Sequence, residues 1–171
     1  MKNTNAMKET TTYPIYLFKE PILIPKMQEE KEELIFKIED FLIKHKTLRR
    51  EKSKIYHVCL EYFQDSIKLN LDVDFQLYFS EKHIILVEFI FDDIESKFVK
   101  QLRKYSQIFK DKGFSVFKTL YRNAVKNKNH SVEDKVIMML YAHLRNNQYI
   151  FKEEITKDNK FKITYQIGNQ A

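Results

Sequence analysis

The apolar positions of this chain follow two alternating rhythms, one with the 3.6-residue period of a helix and one with the two-residue period of a strand. Between Gln28 and Lys46, Leu34, Ile38, Phe41 and Leu42 recur at helical spacing among Glu and Lys, which predicts an amphipathic helix. A basic connection, Lys46 to Lys54, leads to a second predicted helix that carries Ile55, Val58, Cys59, Tyr62, Phe63, Ser66 and Ile67 on one face and stops near Asn70. Val73, Phe75, Leu77 and Phe79 then alternate with more polar residues. After a polar turn, Ser80 to His83, comes Ile84 to Phe91, and the pair predicts a β-hairpin.

Asp92 or Asp93 is placed to cap the next helix, with Glu95 as reciprocal partner and Ile94, Phe98, Leu102, Tyr105 and Phe109 on the core face. Gly113 suits its left-handed C-terminal cap. Ser115 would open a shorter helix with Val116, Phe117, Leu120, Tyr121 and Ala124 as apolar positions. Ser131, with Asp134 three residues on, would cap another that buries Val136, Ile137, Leu140, His143 and Leu144 and ends at Asn146–Asn147. Tyr149 to Ile155, a polar turn Thr156 to Asn159, and alternating Phe161, Ile163, Tyr165 and Ile167 predict a second hairpin. Ahead of these elements, Met1 to Met27 reads as an arm. Pro14, Pro21 and Pro25 forbid a helix there, and Ile15, Leu17, Phe18, Ile22 and Ile24 suggest an extended stretch lying along a surface.

Helical elements followed by a hairpin, twice over, predict an α+β chain of tandem winged-helix units, each ending in a β-hairpin wing. The expected division is an arm at 1–27, a first, degenerate unit at 28–91 that is short of one helix between Lys46 and Lys54, and a second unit at 92–171.

Charge changes this picture by marking one region. The chain carries 30 Lys+Arg against 24 Asp+Glu, a formal net charge of +6, but residues 1–91 hold 14 basic and 15 acidic side chains while residues 92–171 hold 16 and 9. Lys97, Lys100, Arg103, Lys104, Lys118, Arg122, Lys126 and Lys128, together with Lys110 and Lys112, face only Asp111 within that stretch. Such a patch draws acidic partner surfaces or nucleic-acid backbones by screened Coulomb attraction, weakly and without sequence preference. A solvated lysine-rich helix face is the plainer reading of the same residues.

Composition otherwise excludes more than it offers. With two glycines, Gly113 and Gly168, far apart, the chain lacks the glycine clusters of dinucleotide folds, P-loops and nucleophile elbows. Cys59 is alone, so no internal disulfide is expected, and a reducing compartment is. The polar N-terminus has no secretory core, and the longest apolar run, Ile84 to Phe91, is far below the roughly 20 residues that span a bilayer. Neither a membrane nor a small molecule is therefore expected as partner. The five histidines are scattered, with no two at i,i+3 or i,i+4 on one helix, and no metal site or cofactor is expected. The paired acids Glu29–Glu30, Glu32–Glu33, Asp92–Asp93 and Glu153–Glu154 are neighbours that do not face one another, so no acid–base pair and no enzyme is expected. The third helix of the second unit opens on Glu133, Asp134 and Lys135, which disfavours base reading in a major groove. Tyr121, Tyr149 and Tyr165 are candidates for stacking single-stranded bases, with core packing the bland alternative.

Four stretches carry a family resemblance. EEKEELIFKIEDFLIKHK, Glu29 to Lys46, resembles the helix that opens the C-terminal half of the middle, replication-protein-A-like subunit of the CST telomere complex. DIESKFVKQL, Asp93 to Leu102, and DKGFSVFKTL, Asp111 to Leu120, resemble the start of that subunit's second winged helix, and Ser131 to Ile150 shares its helix-into-strand outline. The resemblance is a pattern of apolar and charged positions over residues 29–151, without a catalytic motif. It implies a non-enzymatic interaction module of telomere maintenance, located in the nucleus. The implied partners are the large CST subunit and DNA polymerase α–primase, or telomerase in a ciliate version. The single-strand-binding OB-fold of that family would lie outside this chain. A second resemblance is to the winged-helix subunit of the ESCRT-II endosomal sorting complex, whose Pro- and aromatic-rich opening arm Tyr13 to Phe18 resembles, although the adjacent prolines of that arm are missing. A DNA-binding winged-helix protein is the remaining alternative.

Overall fold

The structure, a computed structural model, describes residues 12–145 and 150–168. Two short strands, β1 (Ile15–Tyr16) and β2 (Ile22–Leu23), precede helices α1 (Gln28–Lys44) and α2 (Arg49–Lys68). A hairpin of β3 (Val73–Phe79) and β4 (Ile85–Phe91) follows, then helices α3 (Lys97–Lys112), α4 (Phe114–Lys126) and α5 (Val132–Leu144), and a hairpin of β5 (Ile150–Ile155) and β6 (Phe161–Ile167). The fold is α+β. Among the described residues no helix is long and apolar enough to cross a membrane.

Both hairpins close by the same device. Ser80 and Thr156 each accept, through the side-chain hydroxyl, the backbone N–H four residues on (3.2 and 3.1 Å), and each turn places one residue, His83 or Asn159, in the left-handed region. The two-residue alternation is realised in full. Val73, Phe75, Leu77 and Phe79 of β3, Ile85, Val87, Phe89 and Phe91 of β4, and Phe161, Ile163, Tyr165 and Ile167 of β6 are all buried. The opposite face is half-exposed, as the period of two requires, except at Gln76 of β3, which is buried beneath the arm.

The hairpins do not stand apart as two wings. β4 pairs antiparallel with β6 from Ile85↔Ile167 to Phe91↔Phe161, giving one sheet in the order β1-β3-β4-β6-β5 with β2 also on β3. Buried rows therefore run across the expected boundary at 91/92: Phe75, Phe89 and Ile163 form one, Leu77, Val87 and Tyr165 the next. Buried residues of both halves, from Leu34 and Leu42 to Val136 and Leu140, join one hydrophobic core. The physical reason is economy of edges. Pairing β4 with β6 satisfies two rows of backbone groups that separate wings would leave open.

Residues 12–27 of the expected arm lie along a surface and complete the sheet, and residues 1–11 lie outside the described residues. Ile15 and Ile22 pair with Phe79 and Phe75, and Ile24 is buried. Between the two short strands, the buried Gln76 amide accepts from the Phe18 N–H (3.2 Å) and donates to the Phe18 carbonyl (2.8 Å). It supplies with a side chain the two bonds that a strand would supply with its backbone. The Lys26 ammonium donates to the carbonyls of Ser66 (3.0 Å) and Leu71, fastening the junction of arm and α1 to the end of α2.

Helix ends differ in detail from the sequence expectation. Ser96, not Asp92 or Asp93, caps α3 by accepting from the Val99 N–H (3.2 Å), while Asp93 holds a preceding turn by accepting from Glu95 N–H (2.9 Å). Gly113 ends α3 and at once starts α4, at φ 80° and ψ −179°, so Ser115 is not the cap. Ser131 and Asp134 form the expected capping box. α2 begins at Arg49, so Arg49 to Lys54 of the expected Lys46–Lys54 connection belongs to α2, and no additional helix lies there. Asn146, Asn147 and Tyr149 lie outside the described residues.

Candidate functional site

All eight candidate basic residues are exposed, in two sets. Lys97, Lys100 and Lys104, at i, i+3 and i+7, share one face of α3, with Arg103 beside them. Lys118, Arg122 and Lys126, at i, i+4 and i+8, form a stripe along α4, and Lys128 follows its end. Acids on the same surface neutralise part of the first set: Lys100 pairs with Glu95 (2.9 Å) and Lys104 with Glu133 (3.6 Å). Lys110 turns toward the sheet edge, pairing with Glu153 (3.0 Å) and lying over the Phe151 ring. Among the described residues the α4 stripe has no ion pair.

The acids at the start of α5 and the candidate stacking tyrosines are engaged within the fold. Glu133 accepts from the Tyr105 hydroxyl, and Asp134 accepts from the Asn127 amide (3.0 Å) and the Ser131 N–H (3.2 Å). Tyr121 stacks on Tyr141 with ring centroids 3.8 Å apart and planes 8° apart, and Tyr165 is fully buried. Neither is a platform for single-stranded bases.

Exposed large apolar side chains are spread over the arm, α1, α2, α4 and β5, and two of them share one face of α1. Phe36 is 66% and Ile43 55% exposed, seven residues apart and so on one face, opposite the buried Leu34, Ile38, Phe41 and Leu42. The hydrophobic period of this helix thus has two sides. Leu48, just before α2, is 69% exposed.

Between α2, α5 and β6 lies a polar cluster that histidine spacing alone did not anticipate. His57 Nε2 lies 3.1 Å from Glu61 Oε1, one helical turn away on α2, and Glu61 Oε2 lies 3.5 Å from His143 Nε2 on α5. His143 Nδ1 is 3.0 Å from the Tyr165 hydroxyl, which is 2.8 Å from that of Tyr62. Burial pushes the His143 pKa down to about 3, with the His57 charge adding to it, so this ring is neutral at pH 7. Burial also lowers the His57 pKa, assisted by Arg145. The Glu61 carboxyl is raised to about 7 by burial and by Asp65. Sequence reasoning missed this cluster because it sought histidine pairs. The partner at i+4 from His57 is a glutamate, and the second imidazole comes from another helix. The signal available was the His57–Glu61 spacing itself.

Compared with known protein families, curated proteins and solved structures, the chain matches none of them.

Proposed function

We propose that this chain is a non-enzymatic docking subunit of a multiprotein assembly, bound through the outer face of α1. The observation that carries the reading is the pair Phe36 and Ile43, large apolar side chains mostly exposed on one helical face. Single exposed hydrophobics are ordinary, but a stripe on the back of an already amphipathic helix fits a helix-face interface. The α4 stripe of Lys118, Arg122 and Lys126 adds attraction for an acidic partner or a nucleic-acid backbone.

The resemblance over residues 29–151 supports a winged-helix character and a role in nuclear telomere maintenance, beside the large CST subunit and polymerase α–primase or telomerase. The run of three helices and a hairpin from α3 to β6 supports the winged-helix reading of the second unit. One observation favours the second family, the ESCRT-II winged-helix subunit: the Pro- and aromatic-rich arm is an ordered edge of the sheet, tied down at Ile15, Phe18 and Ile22. Quantitative affinity purification from the source cell separates the readings. Recovery of telomerase or primase subunits supports the first, and recovery of endosomal sorting subunits supports the second. Sequence-dependent DNA binding that persists above physiological salt, with neither set recovered, overturns both.

A further inference from the structure

We propose that His57, Glu61 and His143 form a three-ligand site for a zinc ion that ties α2 to α5. The case rests first on geometry. One ligand atom from each of the three residues lies within 4.8 Å of the other two. A tetrahedral zinc ion with bonds of about 2.0–2.1 Å sets its ligand atoms roughly 3.3–3.4 Å apart. The shortest donor separations are near that, 3.1 Å between His57 Nε2 and Glu61 Oε1 and 3.5 Å between Glu61 Oε2 and His143 Nε2, each imidazole meeting a different oxygen of the one carboxylate. To converge on one ion, the Glu61 carboxylate and the half-exposed His57 side chain both have to turn.

The backbone holds the donors where a metal needs them. His57 and Glu61 are one turn apart on α2, so the helix itself fixes their common face. His143 sits in the last turn of α5 and is fully buried. Its other ring nitrogen is engaged by the Tyr165 hydroxyl at 3.0 Å, and Tyr165 is held in turn by Tyr62. An outer partner of this kind fixes tautomer and ring orientation in metal-binding histidines and leaves Nε2 as the ligand atom. Tyr165 and Tyr62 are positioning residues here.

The donor set names the ion class. Two imidazole nitrogens and one carboxylate suit zinc, whereas magnesium and calcium take oxygen donors. Three protein ligands would leave a fourth position for water or another donor. The site needs no external reactant, and its role is to bind the ion.

The test is calorimetric titration of the full chain, stripped of metal with a chelator, with zinc chloride, alongside thermal unfolding with and without the ion. The expected result is saturable binding of one zinc per chain and a raised Tm, with no response to magnesium. His57→Ala removes a half-exposed side chain, and Glu61→Gln keeps the shape and a hydrogen-bonding oxygen, so both variants fold. Each is expected to weaken zinc binding by more than tenfold, while His130→Ala, at an exposed histidine elsewhere, leaves it unchanged. Absence of saturable zinc binding by the unaltered chain overturns the proposal. So does binding that His57→Ala and Glu61→Gln leave intact.

Discussion

Replacing Tyr165 with Phe removes one oxygen and keeps the ring, which makes it a clean probe of the polar junction between the helices and the sheet. The Tyr165 hydroxyl touches two buried groups, Tyr62 Oη at 2.8 Å and His143 Nδ1 at 3.0 Å, and both residues are no more than 1% exposed. A net hydrogen bond contributes about 1 kcal/mol, but leaving a buried partner without it costs about 1–3 kcal/mol. Two partners are affected and the cavity left is small, so Tyr165→Phe should destabilise by about 3 kcal/mol. For a chain of this size that is a fall in Tm of roughly 6–12 °C. Urea unfolding followed by circular dichroism measures it, and the slope with denaturant should stay constant. Tyr62→Phe breaks only the first contact. The double variant should therefore lose less than the sum of the singles by about 1 kcal/mol, because both delete the same bond. A Tyr165→Phe cost below about 0.5 kcal/mol, or strict additivity, would refute the network.

Further outcomes follow from other parts of the fold. Gln76→Ala should loosen the arm, which its amide holds at Phe18 from both sides, and limited proteolysis should then cut within residues 13–25 faster than in the unaltered chain. Gly113→Ala should cost about 1–3 kcal/mol in chemical unfolding, although nothing lies within 4 Å of the added carbon, because the backbone there is in a region essentially reserved for glycine. Asn127, and after it Ser131, holds the Asp134 carboxyl below the usual carboxylate range. Its contribution is therefore present above the unfolded value of about 3.9 and lost as pH falls through the folded one. Asp134→Asn should abolish that component of acid destabilisation in a Tm-against-pH series.

The local elements were open to reading because each obeys a short-range rule. Alternation in Val73–Phe79 and Phe161–Ile167, the helical stripe in Ile55–Ile67, and the Ser131–Asp134 box are set by residues a few positions apart. The pairing of β4 with β6 is not. Both strands bury every second side chain, and that pattern is the same whether a neighbouring strand or solvent lies at their edge. The shift of the α3 cap from Asp92 or Asp93 to Ser96 has a similar cause, since Asp93 has two competing uses and the turn with Glu95 takes it. The basic residues of α3 and α4 are close in sequence, but the ion-pair partners Glu95, Glu133 and Glu153 lie outside those two helices. The three-residue cluster at His57, Glu61 and His143 has its third member on a different helix, beyond any local spacing rule.

The docking reading stands most directly on α1. Phe36→Glu with Ile43→Glu places two charges on an already exposed face and should leave the circular dichroism and Tm of the chain nearly unchanged. Interface anchors typically contribute about 2 kcal/mol or more, which is roughly a 30-fold loss of affinity. The measurement is the dissociation constant of the assembly recovered with the unaltered chain, re-formed from purified components with each version. A loss of 30-fold or more with the fold intact is the predicted result, and an unchanged constant would contradict the account.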